Sequence, residues 1–500
     1  MRRLVSFAVV LASFAAAAPA FAADEDLAGY HGGLFYLRDR KDNFRLYLQG
    51  RAQVDSYNYA GPGVGDVASL KSTVFLRRIR PELTGEFLHT WEFMLAGDWG
   101  ATGNDNVAGT TETSAAAPGA APTAASGRYA SAQTPTLRAQ PTDVWVAYAP
   151  SRAFHLQAGQ YDVPFTLENR TSDKYLPFME RSLAVRVLGA PTNKDMGVMA
   201  YGETDDGLLY YSGGVFNGDG QNKVSPDNRA DVIGRVFAHP LIHSGTAVKD
   251  LQIGASGRWG VRDAYYVGYD HPGMTTQGGF TFWRPTYGGS KGATHILPSG
   301  TQLALAGELR VPVEMFDLTS EVVYVNNHTR ESIEGFQLSN TERLGGLKGV
   351  SYYVQLGVWL FGPRDVSGVP GYERSAHLDL AKADPETPPQ ALQLLVKWEQ
   401  LAVKYDSASR GGTIDAKNVD GDIKVNALSF GANWWATRHV RLTANYVANM
   451  FPDSQPGGAT QTSSQRAVAP GNTVAKGVND SARSDAHLLH EMLFRAAVAF

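Results

Sequence analysis

Apolar and polar residues alternate with a period of two along much of this chain. In 44–55 one face reads Phe44, Leu46, Leu48, Gly50, Ala52 and Val54, and the other reads Arg45, Tyr47, Gln49, Arg51, Gln53 and Asp55. The same division recurs at Leu251, Ile253, Ala255, Gly257 and Trp259 against Gln252, Gly254, Ser256 and Arg258. It returns at Val440, Leu442, Ala444 and Tyr446 against Arg441, Thr443, Asn445 and Asn449. Successive side chains on a strand point to opposite sides, so each segment predicts a strand with one apolar and one polar face. A single strand of this kind also suits a half-buried sheet in water, so number and spacing decide more. Alternation and turn residues together place sixteen strands, at 44–57, 73–87, 91–99, 142–149, 154–161, 195–202, 208–216, 230–238, 250–260, 301–311, 316–327, 350–361, 391–405, 423–435, 440–450 and 484–500.

The connections alternate short and long, as in a membrane barrel with tight turns on one side and extended loops on the other. Short ones lie at 89–90, 150–153, 203–207, 312–315 and 436–439; long ones lie at 58–72, 100–141, 162–194, 261–300, 328–349 and 451–483. Segment 362–390 is long where a short turn is due, so either a hairpin is hidden there or the flanking boundaries shift. The stretch 100–140 carries the low-complexity run TETSAAAPGAAPTAASG, which buries no core and reads as a mobile outer loop.

The beginning of the chain sets the compartment. Arg2 and Arg3, an apolar stretch from Val5 to Ala18 and the exit Ala20-Phe21-Ala22 have the form of a secretory signal peptide, 1–22, with Ala23 the expected first mature residue. Beyond it no uninterrupted apolar run approaches the roughly 20 residues a spanning helix needs, which excludes a helical membrane protein. Only helices and closed barrels pair all their backbone groups in lipid, so a closed barrel remains, its polar faces lining a lumen. The expected architecture is all-β: a transmembrane antiparallel barrel of about sixteen strands over 44–500, preceded by a periplasmic lead-in at 23–43. No cysteine is present, so disulfides, thiolate metal sites and cysteine nucleophiles are excluded together. The formal charge of −4, falling to about −6 without Arg2 and Arg3, gives no basic field for nucleic acid. The 53 glycines, 22 tyrosines and 22 phenylalanines suit many turns and aromatic interface girdles.

Three blocks carry a family resemblance: FLRRIRPELTG at 75–85, GQYDVPFTLENRTSDKYLPFMERSL at 159–183 and DMGVMAYGETDDGLLYYSGGVFNG at 195–218. With 229–237 and the late GANWWATRHVRLTANYV, they resemble the phosphate-selective porins of the bacterial outer membrane. That resemblance implies a homotrimer of sixteen-stranded barrels in the outer membrane. It also implies a loop folded inward to narrow each pore, here 162–194, the third long connection, and a preference for phosphate or other anions. The chain departs from a strongly anion-selective pattern in its longer loops and in the acids among its inward bases.

Arginine suits anion passage because its guanidinium stays charged and forks onto oxyanions. The polar faces present Arg45, Arg51, Arg78, Arg80, Arg235, Arg258, Arg310, Arg441 and Arg495 as pore-lining candidates. Asp55, Glu82, Glu86, Glu308, Glu321 and Glu399 share those faces, and bracing by such acids is the favoured reading for any one arginine. Arg77 falls on the apolar face, which predicts that it snorkels to an interface. In the constriction loop Arg170, Ser172, Lys174, Arg181 and Arg186 are candidates, beside the acids Glu168, Asp173 and Glu180. GASGR at 254–258 fails the GxSxG pattern, HLLHE at 487–491 is neither HExxH nor HxxEH, and NGDGQN at 217–222 lacks a calcium-loop spacing. No catalytic residue, cofactor or metal is assigned. The expectation is a passive pore for small hydrophilic anions, phosphate or polyphosphate first. A general or sugar-preferring porin, a structural barrel plugged by its loops, and a soluble secreted β-rich enzyme stay open as alternatives.

Overall fold

The computed structural model describes residues 27–31, 33–64, 70–100, 140–189, 193–263, 269–283, 286–289, 292–333, 343–364, 366, 390–410, 421–452, 467, 469–470 and 487–500. The expected signal segment and most of the connections at 100–141, 362–390 and 451–483 lie outside the described residues.

In chain order a short hairpin, β1 (Ala28–His31) and β2 (Leu34–Arg38), comes first. Nine strands follow: β3 (Phe44–Ala60), β4 (Thr73–Phe87), β5 (Trp91–Asp98), β6 (Gln140–Ser151), β7 (Phe154–Asp162), β8 (Lys194–Glu203), β9 (Leu209–Phe216), β10 (Asp231–Ala238) and β11 (Gln252–Arg262). Between β7 and β8 lies one helix, α1 (Leu183–Leu188). Three short strands, β12 (Met274–Thr275), β13 (Thr281–Trp283) and β14 (Thr286–Gly289), precede the second half of the wall. That half comprises β15 (Gly292–Val313), β16 (Phe316–Ile333), β17 (Arg343–Phe361), β18 (Ala391–Arg410), β19 (Gly421–Trp435), β20 (Val440–Met450) and β21 (Leu488–Ala499).

Each wall strand pairs antiparallel with the next, and β21 pairs with β3 from Ala499↔Arg51 to His490↔Ala60, closing a ring of sixteen strands. The direct pairing of β17 with β18 keeps the sequence-derived boundaries on both sides of 362–390. Where β21 ends, Phe500 and Gly50 exchange backbone hydrogen bonds of 2.7 and 3.0 Å, and β2 takes over the edge of β3 at Phe35↔Leu48. The edge that β21 leaves is thereby covered.

The alternation becomes two surfaces. On β3, Tyr47, Arg51, Gln53, Asp55 and Tyr57 are buried inside, while Leu48 and Val54 are exposed outside. On β11, Gln252, Ser256 and Arg258 face in, and Ile253 and Trp259 face out. Apolar residues exposed around a whole ring suit hydrocarbon and would be a liability in water.

Arg77 departs from the expected position at an interface. Opposite it the ladder slips, with Gln53 pairing Arg78 and Val54 pairing Leu76, so Arg77 is the extra residue of a β-bulge. The bulge turns it inward, 6% exposed, beside Arg78.

Val354 stands mid-strand on the outer surface, between Ser320 and Trp398. Val354→Arg is expected to destabilise the folded barrel in lipid vesicles by about 2–4 kcal/mol in denaturant titration. An unchanged midpoint would contradict a lipid-facing position.

Candidate pore constriction

The loop 163–193, the third long connection, enters the barrel rather than leaving it. Its approach is set by Gly159, whose φ of 135° is closed to other residues and whose Cβ would meet the Val144 carbonyl at 2.2 Å. The chain then turns through Val163, Pro164 and Phe165, with Phe165 fully buried.

A loop inside a barrel must find partners for its own amides. Here the wall supplies them. Ser256 on β11 accepts from the Thr166 N–H at 3.0 Å, and the Glu321 carboxylate on β16 accepts from the Leu167 and Glu168 N–H groups at 2.6 and 3.0 Å. Glu399 on β18 accepts from the Leu183 N–H at 2.7 Å, and Asn445 on β20 accepts from the Met179 N–H at 2.9 Å. In the other direction Arg441 donates to the carbonyls of Lys174, Leu176 and Pro177, Asn433 donates to Pro177, and Arg495 donates to Met179. Within the loop, Ser182 caps α1 by accepting from the Val185 N–H, while the Glu168 carboxylate accepts from the Ser182 N–H and hydroxyl at 2.8 and 2.6 Å.

The charges of Asp173, Lys174 and Glu180 are neutralised against β3, β4 and β21. Asp173 lies 2.7 Å from Arg51, 2.7 Å from Arg78 and 3.4 Å from Arg80; the Arg51 contact is an ion pair without hydrogen-bond alignment. Glu82 joins Arg51 and Lys174 at 2.9 and 2.8 Å. Glu180 joins Arg77 at 3.1 Å and Arg495 at 3.3 Å, and Arg495 also holds Asp55 at 2.7 Å. Burial pushes the Glu180 carboxyl up, but Arg77, Arg78 and Arg495 outweigh it and leave it at about 2. Burial likewise opposes the ionisation of Asp173, and Arg51, Arg78 and Arg80 hold it well below the usual carboxylate range. Burial raises Glu168, although Lys397 and the Ser182 hydrogen bonds pull the other way.

The sequence-nominated residues therefore divide. Arg51, Arg78, Arg80, Lys174 and Ser172 converge around Asp173 and Glu82, with Arg495 and Arg441 alongside on the loop. Arg45 pairs with Asp42 and Glu86, Arg235 with Glu308, Arg258 with Asp231 and Arg310 with Asp317, each elsewhere on the wall. Arg170 donates to the Asp162 carbonyl, and Arg181 donates to the carbonyls of Glu168, Asn169 and Thr171. Arg186, on α1, is the nominated cation whose guanidinium, its nitrogens buried, makes no hydrogen bond or ion pair among the described residues. It lines a cavity of about 50 Å³ with Lys223, Arg258, Arg262 and His271. Glu321 and Glu399, nominated as braces for arginine, serve the loop backbone, and Glu399 also stands 3.4 Å from Lys397.

Residues 46–268 match the family of phosphate-selective porins O and P. The porin match runs from within β3 through β11 and so contains the inward loop and the cations gathered around Asp173. No curated protein matches by sequence. Among solved structures the chain is similar to in-vitro folded OmpT of Vibrio cholerae, at 9% identity over 92% of this chain and 98% of that one, TM-score 0.48. It is also similar to the outer membrane channel DcaP of Acinetobacter baumannii, at 9% identity over 93% and 99%, TM-score 0.46. A third is the anion-selective porin from Comamonas acidovorans, at 10% identity over 91% and 100%, TM-score 0.43.

The docking of the loop should weaken in acid. The folded value of Glu180 lies below its ordinary 4.5, so its contribution is complete above about 4.5 and is lost as pH falls through about 2. Hydrogen exchange at the Leu167 and Leu183 amides is expected to lose protection across that window. Asp173→Asn leaves Arg51, Arg78 and Arg80 without their shared acid, and a loss of roughly 3–5 kcal/mol in loop protection at neutral pH is the expected result.

Proposed function

We propose that this protein is an outer-membrane porin, exported with a cleaved signal peptide, through which small hydrophilic anions diffuse passively. Phosphate or polyphosphate is the leading solute class, and the working unit is a homotrimer in the outer-membrane bilayer. The single observation that carries the reading is the closed ring with an apolar exterior and a charged interior narrowed by the loop 163–193. The family match over 46–268 supports the anion preference.

Anion preference in such a pore rests on cations that protein acids leave uncommitted. A guanidinium forked onto a carboxylate has little left to offer a passing oxyanion. Among the nominated residues Arg186 meets that requirement best, with Lys223 beside it on the same cavity. The arginines around Asp173 act chiefly as fasteners for the loop and set the local potential only through their small excess over the acids.

Single-channel recording in planar bilayers under a salt gradient tests the reading. The expected current is anion-selective and falls as phosphate is added in steps. Arg186→Gln is expected to lower the ratio of anion to cation permeability by a few-fold with the unfolding midpoint unchanged. Arg78→Gln should do the reverse, lowering the midpoint with a smaller effect on selectivity. A large current indifferent to phosphate and to Arg186→Gln would sink the anion assignment.

A further inference from the structure

A second segment enters the lumen, between β11 and β15. Residues 274–283 form the hairpin of β12 and β13, closed by Thr276 and Phe280, which pair backbone N–H to carbonyl at 2.8 Å. Although it leaves the wall beside β11, its tip rests on strands up to halfway around the ring. Glu491 on β21 accepts from the Thr276 hydroxyl and from the Gly278 N–H, the latter at 2.9 Å. Gln277 donates to Glu399 on β18 at 2.8 Å and to Ser429 on β19 at 3.4 Å, and Tyr59 on β3 donates to the Gly278 carbonyl at 2.5 Å. A Cβ at Gly278 would stand 2.8 Å from the Glu491 carboxyl and 2.9 Å from the Tyr59 ring, so a larger residue there would have to push both side chains aside.

Behind the tip the hairpin is apolar. Met274, Phe280, Phe282 and Trp283 are each no more than 3% exposed. Phe280 and Phe282 pack on Phe451, with ring centroids 6.1 and 6.0 Å away, and Trp283 packs on Tyr405 at 6.1 Å. The hairpin forms a sheet of its own, with no ladder to the wall among the described residues. The contacts named above join the hairpin to wall side chains, and these can be released without breaking a wall strand pair. The loop 163–193 likewise has wall carboxylates bonded to its backbone, at three amides rather than one, and adds buried ion pairs.

Resting on the porin reading above, we propose that the hairpin 274–283 is a displaceable plug that narrows the lumen when seated, with Glu491 and Glu399 as its latch. The seated form is the resting one, since release wets four large apolar side chains. Two- and three-residue strands do not hold a hairpin together in water, so the released segment leaves as a loosened loop. Conductance then reports the seating equilibrium, and the loop 163–193 sets selectivity in either state.

The absence of native cysteine permits a direct test. Gln277→Cys together with Ser429→Cys, bridged by a short bis-methanethiosulfonate that forms a reducible disulfide with each thiol and releases methanesulfinate, ties the tip to its seat. The bridged protein is expected to show several-fold lower single-channel conductance without large opening steps, and reduction of the same sample should restore both. Glu491→Ala, and replacement of 274–283 by a short glycine linker, should raise the time spent at high conductance. Equal currents in bridged, reduced and linker-replaced proteins would overturn the plug and leave the porin intact. Absence of current in every form, the linker-replaced one included, would overturn the porin reading and the plug with it.

Discussion

Backbone amides and carbonyls in hydrocarbon have no water to bond, and this constraint governs both the wall and what the wall contains. A sheet meets it by having no free edge, which is why the pairing of β21 with β3 matters more than any single side-chain contact. At the foot of the seam, Phe500 and Gly50 bond to each other and β2 takes over the edge. The same requirement follows the chain into the lumen. The loop 163–193 leaves the ladder, yet its N–H groups at Thr166, Leu167, Glu168, Met179 and Leu183 each find an acceptor on a wall strand. Pro164 and Pro177 lie on the same path and bring no N–H to satisfy.

Charge pairing in the lumen follows from that packing. Once the loop covers Arg51, Arg78 and Arg80, an unpaired guanidinium there would be desolvated at a cost of several kcal/mol. Asp173, Glu82 and Asp98 answer with three carboxylates against Arg51, Arg78, Arg80 and Lys174, which leaves a small positive excess where the loop meets β3 and β4. A narrow, strongly basic filter is not what this arrangement builds. The pattern is a rigid collar with its charges committed, and a less committed cation, Arg186, on the helix beyond it.

Much of this was legible in the sequence because the wall is periodic. Alternation in Phe44 to Asp55 or Val440 to Asn449 needs only a buried and an exposed side to be readable, and the observed strands keep those faces. The third long connection could be singled out from strand order and from the family resemblance together. The exceptions are local geometry and distant partners. Arg77 obeys period two in the sequence and breaks it in the fold, since a bulge opposite Gln53 and Val54 adds one residue and reverses its side. Glu321 and Glu399 look like any lumen acid; that they bond loop amides 154 and 216 residues away is a fact of tertiary contact. The hairpin 274–283 left one signal, the alternation of Phe280 and Phe282 inside a long connection, where apolar side chains have no reason to stand unless they are covered.

The two inward segments share one buried apolar cluster and both bond wall carboxylates, but the loop 163–193 adds buried ion pairs and more amide-to-carboxylate bonds. Buried ion pairs and amide-to-carboxylate bonds are directional, so the loop 163–193 has essentially one docked geometry and loses heavily on small displacement. The hairpin has directional bonds at Thr276, Gln277 and Gly278 and apolar contacts behind them, which tolerate sliding; in the proposal above, loss of those few bonds lets it leave while the collar stays docked. Glu399 touches both: one carboxylate oxygen accepts from the Leu183 N–H of the loop, and the other accepts from Gln277 of the hairpin. A release of the hairpin therefore frees one oxygen of a group that still holds the collar. Lys397, 3.4 Å from that second oxygen, is placed to compensate it, so the bond from Glu399 to the Leu183 amide need not be lost with the hairpin.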